Sequence, residues 1–372
     1  MPFLRSVNLT GASSHLCHKN KELAMQINLT PRTLHFRKPA RTSRGEYTEH
    51  NMVIITITDE QGSRIGLGEC APLPDLSCDR DAYTHLSDVA RLINEALASD
   101  DYTEYLRPYP ALLFALESAI YDYQQNPMLY DTPFAHSEVG IPINGLVWMS
   151  DYEDMFRQVK QKLLQGFHCI KLKIGAIDWE DEIKLIEKIR SRFTSDHLEL
   201  RVDANGAFTF EEAKEKLAQL AKYGIHSIEQ PIKQYQWKEM AELCRLAESE
   251  GYPAIALDEE LIGVNKLDEK MTLLDTIRPQ YIVVKPTLHG GMTGTIEWVS
   301  EAKKRGIGSW ITSALESNVG LRNVALLAAK IYNVGEQPVM PQGLGTGLLF
   351  TDNIEMDVEI RRNKLWRCEV EE

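Results

Sequence analysis

Hydrophobic and polar positions follow two different patterns along this chain, and the change comes near residue 139. Before it, residues 25–75 alternate between apolar and polar positions, and VIITITDEQGSRIGLGECAPLP predicts two strands joined by a DEQGS turn. Residues 80–98 and 110–126 then show helical periodicity. The first third of the chain therefore predicts an α+β unit in which the strands precede the helices.

After residue 139 one unit repeats, in which a helix ends at a glycine and a short apolar strand ends in polar residues. The polar strand ends recur at intervals of 26 to 32 residues from Lys171 to Gln342. Eight such strands alternating with helices predict a (β/α)7β barrel of the TIM type. An open doubly wound sheet is the alternative, but such sheets usually carry a glycine-rich phosphate loop, and the sequence contains no GxGxxG or GxxxxGKS/T motif.

Helix ends in the repeating region carry recognisable signals. Ser150 with Glu153, and Thr209 with Glu212, fit the capping box of a helix N-terminus. Glycines stand where helix C-caps belong, at Gly166, Gly224, Gly251 and Gly306.

The patterns divide the chain into residues 1–24, an α+β unit at 25–130 and a barrel at 131–345. Residues 1–24 lack the apolar centre of a signal peptide, and we treat them as an uncertain leader. Met25 is an alternative start, because strand-like sequence begins there.

Composition narrows the classes of function. The 41 basic and 54 acidic residues give a net charge of −13, which argues against a nucleic-acid-binding surface. The six cysteines form no CxxC pair, which favours a reduced, cytoplasmic protein. No apolar run approaches the roughly 20 residues that a membrane-spanning helix needs. A homo-oligomer is compatible with the sequence, but no pattern in it indicates one.

Two lysines interrupt an apolar strand in the segment HCIKLKIGAID. Because side chains alternate along a strand, Lys171 and Lys173 project from the same face. Two like charges in an apolar run are costly unless neighbouring groups compensate them.

Compensating charges stand at the ends of the following strands. Asp203, Glu229 and Asp258 end strands 3, 4 and 5, and Lys285 ends strand 6, opposite strand 2 in a ring of eight. Chemistry in such barrels lies at the carboxyl ends of the strands, so these groups should converge. Three converging carboxylates need a cation, and an all-oxygen ligand set favours Mg²⁺ or Mn²⁺ over Zn²⁺.

Each element also has a purely structural interpretation. A K-x-K strand is usually half-solvated, Asp203 and Asp258 can cap the helices that follow them, and Glu229 and Lys285 can lie in loops. Their occurrence on five successive strand ends favours a shared site. There, a divalent ion would take up the charge of an enediolate, and a lysine whose pKa is lowered by neighbouring cations would be the base.

The motifs KLKIG, RVDANGAF, IEQP, ALDEE and VVKP resemble, in order, those of the enolase superfamily, in its muconate-lactonising-enzyme subgroup. A lysine base with Mg²⁺ is the known pattern of that superfamily. The resemblance covers residues 139 to about 345, and the first unit, with GLGECAPLP, resembles the superfamily's α+β capping domain, which residues 346–372 would complete. The resemblance implies that Asp203, Glu229 and Asp258 bind Mg²⁺, with Mn²⁺ as a substitute. It implies that Lys173 is the base, that Lys285 lies on the opposite face of the substrate and that Lys171 orients the substrate carboxylate. It also implies that Asn205 and Glu259 position the metal ligands.

Within the subgroup, VVKPTLHGGMTG, ITSALESNVGL and PQGLGTGLLFTDN resemble the o-succinylbenzoate synthases of menaquinone biosynthesis. These lyases dehydrate a small anionic substrate, 2-succinyl-6-hydroxy-2,4-cyclohexadiene-1-carboxylate, through an enediolate. The resemblance implies that Lys173 removes the α-proton and then protonates the leaving hydroxyl. It also implies that Lys285 stabilises the intermediate by a cation–π contact.

Other activities use the same lysines and metal, namely dipeptide epimerisation and N-acylamino acid racemisation. Dipeptide epimerases typically carry Asp-x-Asp at the eighth strand, where this chain reads QGLGTG without an acid. A barrel that binds a metabolite without chemistry is a further alternative, disfavoured because all three acids and all three lysines are present.

The sequence offers weaker candidates for the residues that contact the tail of the substrate. Residues 40–51, ARTSRGEYTEHN, are predicted to form a polar loop between two strands and to act as a lid. Arg41 or Arg44 could face the succinyl carboxylate, and Trp148 and Ser313 could line the pocket. Surface arginines and a packing tryptophan are the structural alternatives.

Overall fold

A computed structural model describes residues 7–9, 25–42, 45–175 and 177–368. Its first unit contains an antiparallel sheet whose four strands follow the order of the chain, namely β1 (Val7–Leu9), β2 (Gln26–Thr42), β3 (Gly45–Thr58) and β4 (Ile65–Cys70). The predicted hairpin is confirmed, since Thr58 pairs with Ile65 and Val53 with Cys70. Strand β1 lies inside the predicted leader and pairs with β2.

The helices of the first unit are α1 (Leu86–Ala98), α2 (Tyr102–Leu106), α3 (Pro110–Gln124) and α4 (Pro127–Tyr130). Helix α3 packs so closely on β4 that a Cβ atom at Gly68 would come within 1.9 Å of the Ala115 carbonyl oxygen. Glycine is therefore required there by the close approach of helix and sheet.

The loop predicted at residues 40–51 was wrong, and the role of this segment as a lid stays a prediction. Strand β2 continues to Thr42 and β3 begins at Gly45, with Ala40 opposite Tyr47 and Thr42 opposite Gly45. The segment is polar because the end of this hairpin extends into solvent: most of the described residues from Gly45 to Glu49 are exposed. Arg44 lies outside the described residues.

Most of the described chain after residue 139 forms the predicted barrel, and the fold class is confirmed. Seven described parallel strands pair in chain order: β6 (Gly145–Val147), β7 (Cys169–Lys173), β8 (Glu199–Asp203), β9 (Ser227–Glu229), β10 (Ala254–Leu257), β11 (Tyr281–Val284) and β12 (Gly308–Ile311). The helices around them are α5 (Tyr152–Leu164), α6 (Trp179–Arg190), α7 (Phe210–Leu220), α8 (Trp237–Glu250), α9 (Leu267–Ile277), α10 (Gly291–Lys304) and α11 (Asn318–Ile331).

The eighth position of the ring is filled by Gln342 and Gly343. On one side the Gln342 amide donates to the Pro142 carbonyl at 2.8 Å, and on the other the Gly343 amide donates to the Ile311 carbonyl at 2.8 Å. This short segment lies within the predicted eighth strand, VMPQGLGTG. It closes the barrel with only two bridging residues.

One of the two predicted helix starts is confirmed, and the other is displaced by one residue. The capping box of Thr209 and Glu212 is confirmed at α7. At α5 the N-cap is Asp151, whose carboxylate accepts from the Asp154 amide at 2.9 Å, so the predicted cap at Ser150 was wrong by one residue. Both residue types suit this position, and they are adjacent in the chain.

The C-terminal segment contacts both units. Its hairpin, β13 (Val358–Arg361) and β14 (Lys364–Arg367), pairs with β5 (Ile141–Pro142). Upstream of the hairpin, the backbone around Leu349 bonds to β2 in the first unit. The boundaries predicted at residues 131 and 346 stay predictions. Within the described residues, no helix is both long and apolar enough to cross a membrane.

Two buried carboxylates of the first unit dock onto helix N-termini of the barrel. Glu69 accepts from the amides of Ser317 and Gly320, at 2.8 and 2.9 Å. Glu117 accepts from the Met292 amide at 2.6 Å. Burial raises the pKa of each carboxyl to about 7, although these hydrogen bonds act in the opposite direction.

We predict that Glu117→Gln changes how stability depends on pH. Because the pKa of Glu117 is raised in the folded state, its contribution is complete below the unfolded pKa and is lost as the pH rises through about 7. The amide does not titrate, so the unfolding free energy of the variant relative to wild type should increase by up to about 3 kcal/mol between about pH 5 and 8. Denaturant unfolding over this pH range measures it.

The exposed Glu60→Gln variant is the control and should show no such trend. A relative stability of Glu117→Gln that falls with pH would mean that the positive end of α10 lowers the pKa of Glu117 instead.

Candidate active site

The candidate catalytic side chains share one layer at the carboxyl ends of the barrel strands. Lys173 pairs in register with Asp203, and Asp203 with Glu229. In-register neighbours on parallel strands point the same way, so their charges meet inside the ring. Asp258 and Lys285 directly follow β10 and β11 at the same rim.

Each lysine of this layer is paired with a carboxylate. The Lys171 ammonium donates to both oxygens of Glu229, at 2.7 and 2.6 Å, and lies 2.8 Å from Asp203 Oδ2. The Lys173 ammonium donates to Asp203 Oδ2 at 2.6 Å, and Lys285 forms an ion pair with Asp258. Asp203 and Asp258 are fully buried. The structure therefore brings together the three predicted lysines and the three predicted ligands.

The three lysines differ in the direction of their pKa shifts. Burial lowers the pKa of Lys173, and neighbouring Lys171 acts in the same direction, so the pKa stays below its ordinary value despite Asp203. Burial also acts on Lys171 and Lys285, but their carboxylate partners outweigh it and hold both pKa values above the ordinary one. Lys173 is thus the lysine of this group that most easily gives up its proton.

Asn205 links Lys173 to a neighbouring acid. Its backbone lies in the left-handed region, with φ of +45°, which asparagine tolerates better than most residues. Its side-chain oxygen accepts from Lys173 at 2.7 Å, and its amide nitrogen donates to Glu259 at 2.9 Å. Asn205 and Glu259 therefore lie where residues that orient the cluster are expected.

The chemistry of the cluster fits a divalent cation. The donors are all oxygens, and the buried Asp258 Oδ1 has no hydrogen-bond partner among the described residues. The Lys171 ammonium lies between Asp203 and Glu229, where positive charge is needed. In this arrangement no three acidic, histidine or cysteine side chains of the described chain are close enough to hold an ion. Lys171 would have to withdraw from between the two carboxylates when a metal binds.

A cavity of about 90 Å³ opens above the lysines. Trp148 and Ser313 both line it, as the sequence predicted, and the first unit contributes Tyr47, Leu73 and Leu76. The wall at the eighth strand consists of Gly343, Gly345 and Thr346, without a carboxylate.

Sequence reasoning missed Glu316, which is fully buried. Its carboxylate accepts from the hydroxyls of Thr287 and Ser313 and from the Ala314 amide at 2.7 Å. It therefore ties the loop after β11 to the loop after β12. A glutamate three residues after Ser313 in the apolar context of ITSALESNVGL was the available signal, because a buried carboxylate there needs donors.

The first unit also fixes this loop. Leu315, which lines the cavity, has φ of +69°, an unusual conformation for a branched side chain. Its carbonyl accepts from Nδ1 of the buried His50 on β3, at 2.9 Å. Contacts from the barrel and from the first unit thus hold this wall of the cavity.

Comparison with known proteins agrees with this geometry. The family model described as Enolase C-terminal domain-like matches residues 154–360. The o-succinylbenzoate synthase of Desulfotalea psychrophila is 39% identical, over 90% of this chain and 97% of that protein. The chain therefore belongs to the enolase superfamily, and within it to the family of that o-succinylbenzoate synthase.

Solved structures show the same fold. The crystal structure of MenC from Desulfotalea psychrophila matches with a TM-score of 0.72 and 36% identity, over 92% of this chain and 99% of that one. A dipeptide epimerase from Enterococcus faecalis, solved with Mg and the dipeptide L-Leu-L-Tyr, matches with a TM-score of 0.76 and 19% identity, over 92% of this chain and 96% of that one. At that identity the second likeness concerns the fold alone.

We predict that Glu316→Ala destabilises the protein by about 1–3 kcal/mol, because the Ala314 amide loses its acceptor in a buried site. Denaturant unfolding measures the loss, and Glu316→Gln, which retains one acceptor oxygen, should recover part of it. The matched control is Glu336→Ala at an exposed position, which should change stability little. Equal stabilities of Glu316→Ala and Glu336→Ala would show that Glu316 does not hold the two loops.

Proposed function

We propose that this chain is an o-succinylbenzoate synthase, a lyase that removes water from 2-succinyl-6-hydroxy-2,4-cyclohexadiene-1-carboxylate. Near full-length identity of 39% to a named synthase supports the substrate. The observation that carries the chemistry is the pair Lys173 and Lys285, on strands that the ring sets opposite each other, facing one cavity. The pathway implied by the relatives is menaquinone biosynthesis.

We infer that Asp203, Glu229 and Asp258 hold Mg²⁺, with Mn²⁺ as a substitute. When bound, the ion would stabilise the negative charge that develops on the substrate carboxylate as the neighbouring proton is removed. Asn205 and Glu259 would keep the ligand cluster in place through their mutual hydrogen bond. Lys171, already positively charged and buried, would orient the substrate carboxylate.

Lys173 acts as the base in this proposal. Its lowered pKa favours the neutral amine, which takes the α-proton of the substrate. The same ammonium then returns that proton to the leaving hydroxyl, so water departs, the ring becomes aromatic and the lysine is again neutral. Lys285 stays protonated and stabilises the electron-rich ring from the opposite face.

N-acylamino acid racemisation is the second candidate, because a lysine on each face can exchange the same α-proton. An L-Ala-D/L-Glu epimerase of Bacillus subtilis is 27% identical over 80% of this chain and 82% of that protein. The carboxylate-free wall at Gly343 and Thr346 offers no partner for a substrate amine, which disfavours a dipeptide.

We also propose the domain division that the sequence suggested, with a cap of residues 25–130 and 346–372 on a barrel of residues 131–345. The bonds between the backbone near Leu349 and β2 support the assignment of the C-terminal segment to the cap. A cytoplasmic location stays a prediction. The five described cysteines are all unbridged.

We predict that the purified protein consumes the cyclohexadiene carboxylate rapidly in the presence of Mg²⁺ and that EDTA abolishes the reaction. Loss of the diene absorbance in the ultraviolet measures turnover, and added Mg²⁺ should restore it. A panel of N-acylamino acids assayed in D₂O serves as the comparison. Absent diene turnover with α-proton exchange on the panel would overturn the synthase proposal in favour of the racemase.

We further predict that Lys173→Ala abolishes turnover but leaves the fold and Mg²⁺ affinity unchanged, whereas Asp203→Asn weakens both Mg²⁺ binding and turnover. The cause of the difference is that Lys173 would act on the substrate and Asp203 on the ion. Circular dichroism, Mg²⁺ titration calorimetry and the diene assay separate these effects. Substantial activity of Lys173→Ala would remove Lys173 from the role of base.

A further inference from the structure

The loop that follows β12, residues 313–317, forms one wall of the cavity above the lysines and lies against the first unit. Leu315 of this loop lines the cavity. It also belongs, with Leu73 and Leu76 of the first unit, to one buried apolar cluster, and both of those leucines line the cavity too. The two units therefore build this wall together.

The backbone of Leu315 is held on both sides in an unusual conformation. Its φ of +69° lies in the left-handed region, which a bulky side chain rarely adopts. Its amide donates to the Ser313 hydroxyl at 3.1 Å, and its carbonyl accepts from Nδ1 of His50 at 2.9 Å. Backbone of this kind persists only where the surroundings over-determine it, and such residues cluster at functional sites.

His50 supplies the contact from the first unit. It is a buried residue of β3, the strand that also contributes Tyr47 to the cavity. Burial lowers the pKa of His50, although the Leu315 carbonyl and the Glu316 charge act in the opposite direction, so the ring is neutral at neutral pH. Because a carbonyl only accepts hydrogen bonds, Nδ1 carries the single ring proton. His50 is thus an oriented, uncharged donor.

Packing alone does not explain a histidine at this position. Side chains alternate along a strand, so Met52 and Ile54 share the face of His50, and Leu34 lies opposite His50 on β2. All three of these neighbours are buried and apolar. A buried polar group among them needs a partner, and the partner that it has is the carbonyl of a residue in the cavity wall.

We propose that His50 is a positioning residue for the lyase reaction, because its hydrogen bond to Leu315 holds residues 313–317 in the conformation that receives the substrate. This inference rests on the proposed function and deepens it. His50 is not among the described residues that line the cavity, so it acts through Leu315 and takes no part in proton transfer. The docking of the first unit and the fit of the cavity to its ligand are then linked through one hydrogen bond.

Two substitutions separate this hydrogen bond from the space that the ring fills. His50→Asn keeps a side-chain N–H near the position of Nδ1, whereas His50→Leu fills a similar volume without a donor. In the Mg²⁺-loaded protein, His50→Leu should raise KM for the cyclohexadiene carboxylate about three- to tenfold, the range expected for one buried hydrogen bond. The dissociation constant of o-succinylbenzoate, measured by titration calorimetry, should rise equally. The value of kcat should change little, because the lost contact concerns binding.

His50→Asn should recover most of this loss. A purely structural role of His50 predicts the reverse order, since asparagine is smaller and leaves a gap that leucine fills. Amide hydrogen exchange of residues 313–317, followed by mass spectrometry, is a second readout that needs no substrate. Exchange of this segment should be faster in His50→Leu than in the wild-type protein and in His50→Asn.

The matched control is Arg107→Met, which removes a different link between the two units. Arg107, at the end of α2, donates to both carboxylate oxygens of Glu297 on α10, at 3.1 and 2.8 Å, and does not line the cavity. This variant should change neither KM nor the exchange of residues 313–317.

Unchanged KM and product affinity in His50→Leu would overturn the inference, whatever its stability. A rise in KM without faster exchange of residues 313–317 would overturn the route through Leu315, and equal effects of leucine and asparagine would overturn the role of the donor. A wild-type protein that neither turns over the diene nor binds o-succinylbenzoate would instead refute the proposed function.

Discussion

The mutual neutralisation of buried lysines and carboxylates at the barrel rim is the constraint on which this structure depends. Asp203 is fully buried, and two ammonium groups lie within 2.8 Å of its Oδ2 atom. Such charges are tolerable inside a protein only when opposite charges compensate them. A one-residue slip of β8 would turn Asp203 to the other face of the sheet. The cluster therefore specifies the strand register as well as the chemistry.

The first unit is attached to the barrel by buried carboxylates that are likewise compensated, in this case by the N-termini of helices. Glu69 and Glu117 belong to the first unit. They accept hydrogen bonds from amides at the starts of α11 and α10, where backbone donors lack partners within the helix. A third link, between Asp122 and Arg322, joins α3 to α11. Helix α11 follows the loop that Glu316 holds against the candidate active site. The position of the first unit and the shape of the cavity wall are thereby connected through short, buried polar contacts.

The residues whose positions could be predicted from the sequence are those that follow the regular spacing of the barrel strands. The spacing from Lys171 to Lys285 put the cluster on strand ends, because a barrel repeats its strands at a regular pitch. The short eighth strand was found by the same spacing. The polarity of residues 40–51 misled the prediction, since an exposed hairpin end is as polar as a loop. The role of Glu316 went unnoticed because its contact with Thr287 joins segments distant in the chain, and no local pattern records such a contact.

The charged cluster at the rim and the cavity above it have separate roles, which fits a superfamily with many substrates. In the rim cluster every described lysine is paired before a substrate arrives, so its groups are matched to each other and to a cation. The cavity above the cluster is walled by side chains of both units, among them Tyr47 and Leu73 of the first unit and Trp148 of the barrel. The fold is shared with a dipeptide epimerase at a TM-score of 0.76, so the fold alone does not select the substrate. The walls of this cavity can therefore differ between members of the superfamily independently of the charged cluster at the rim.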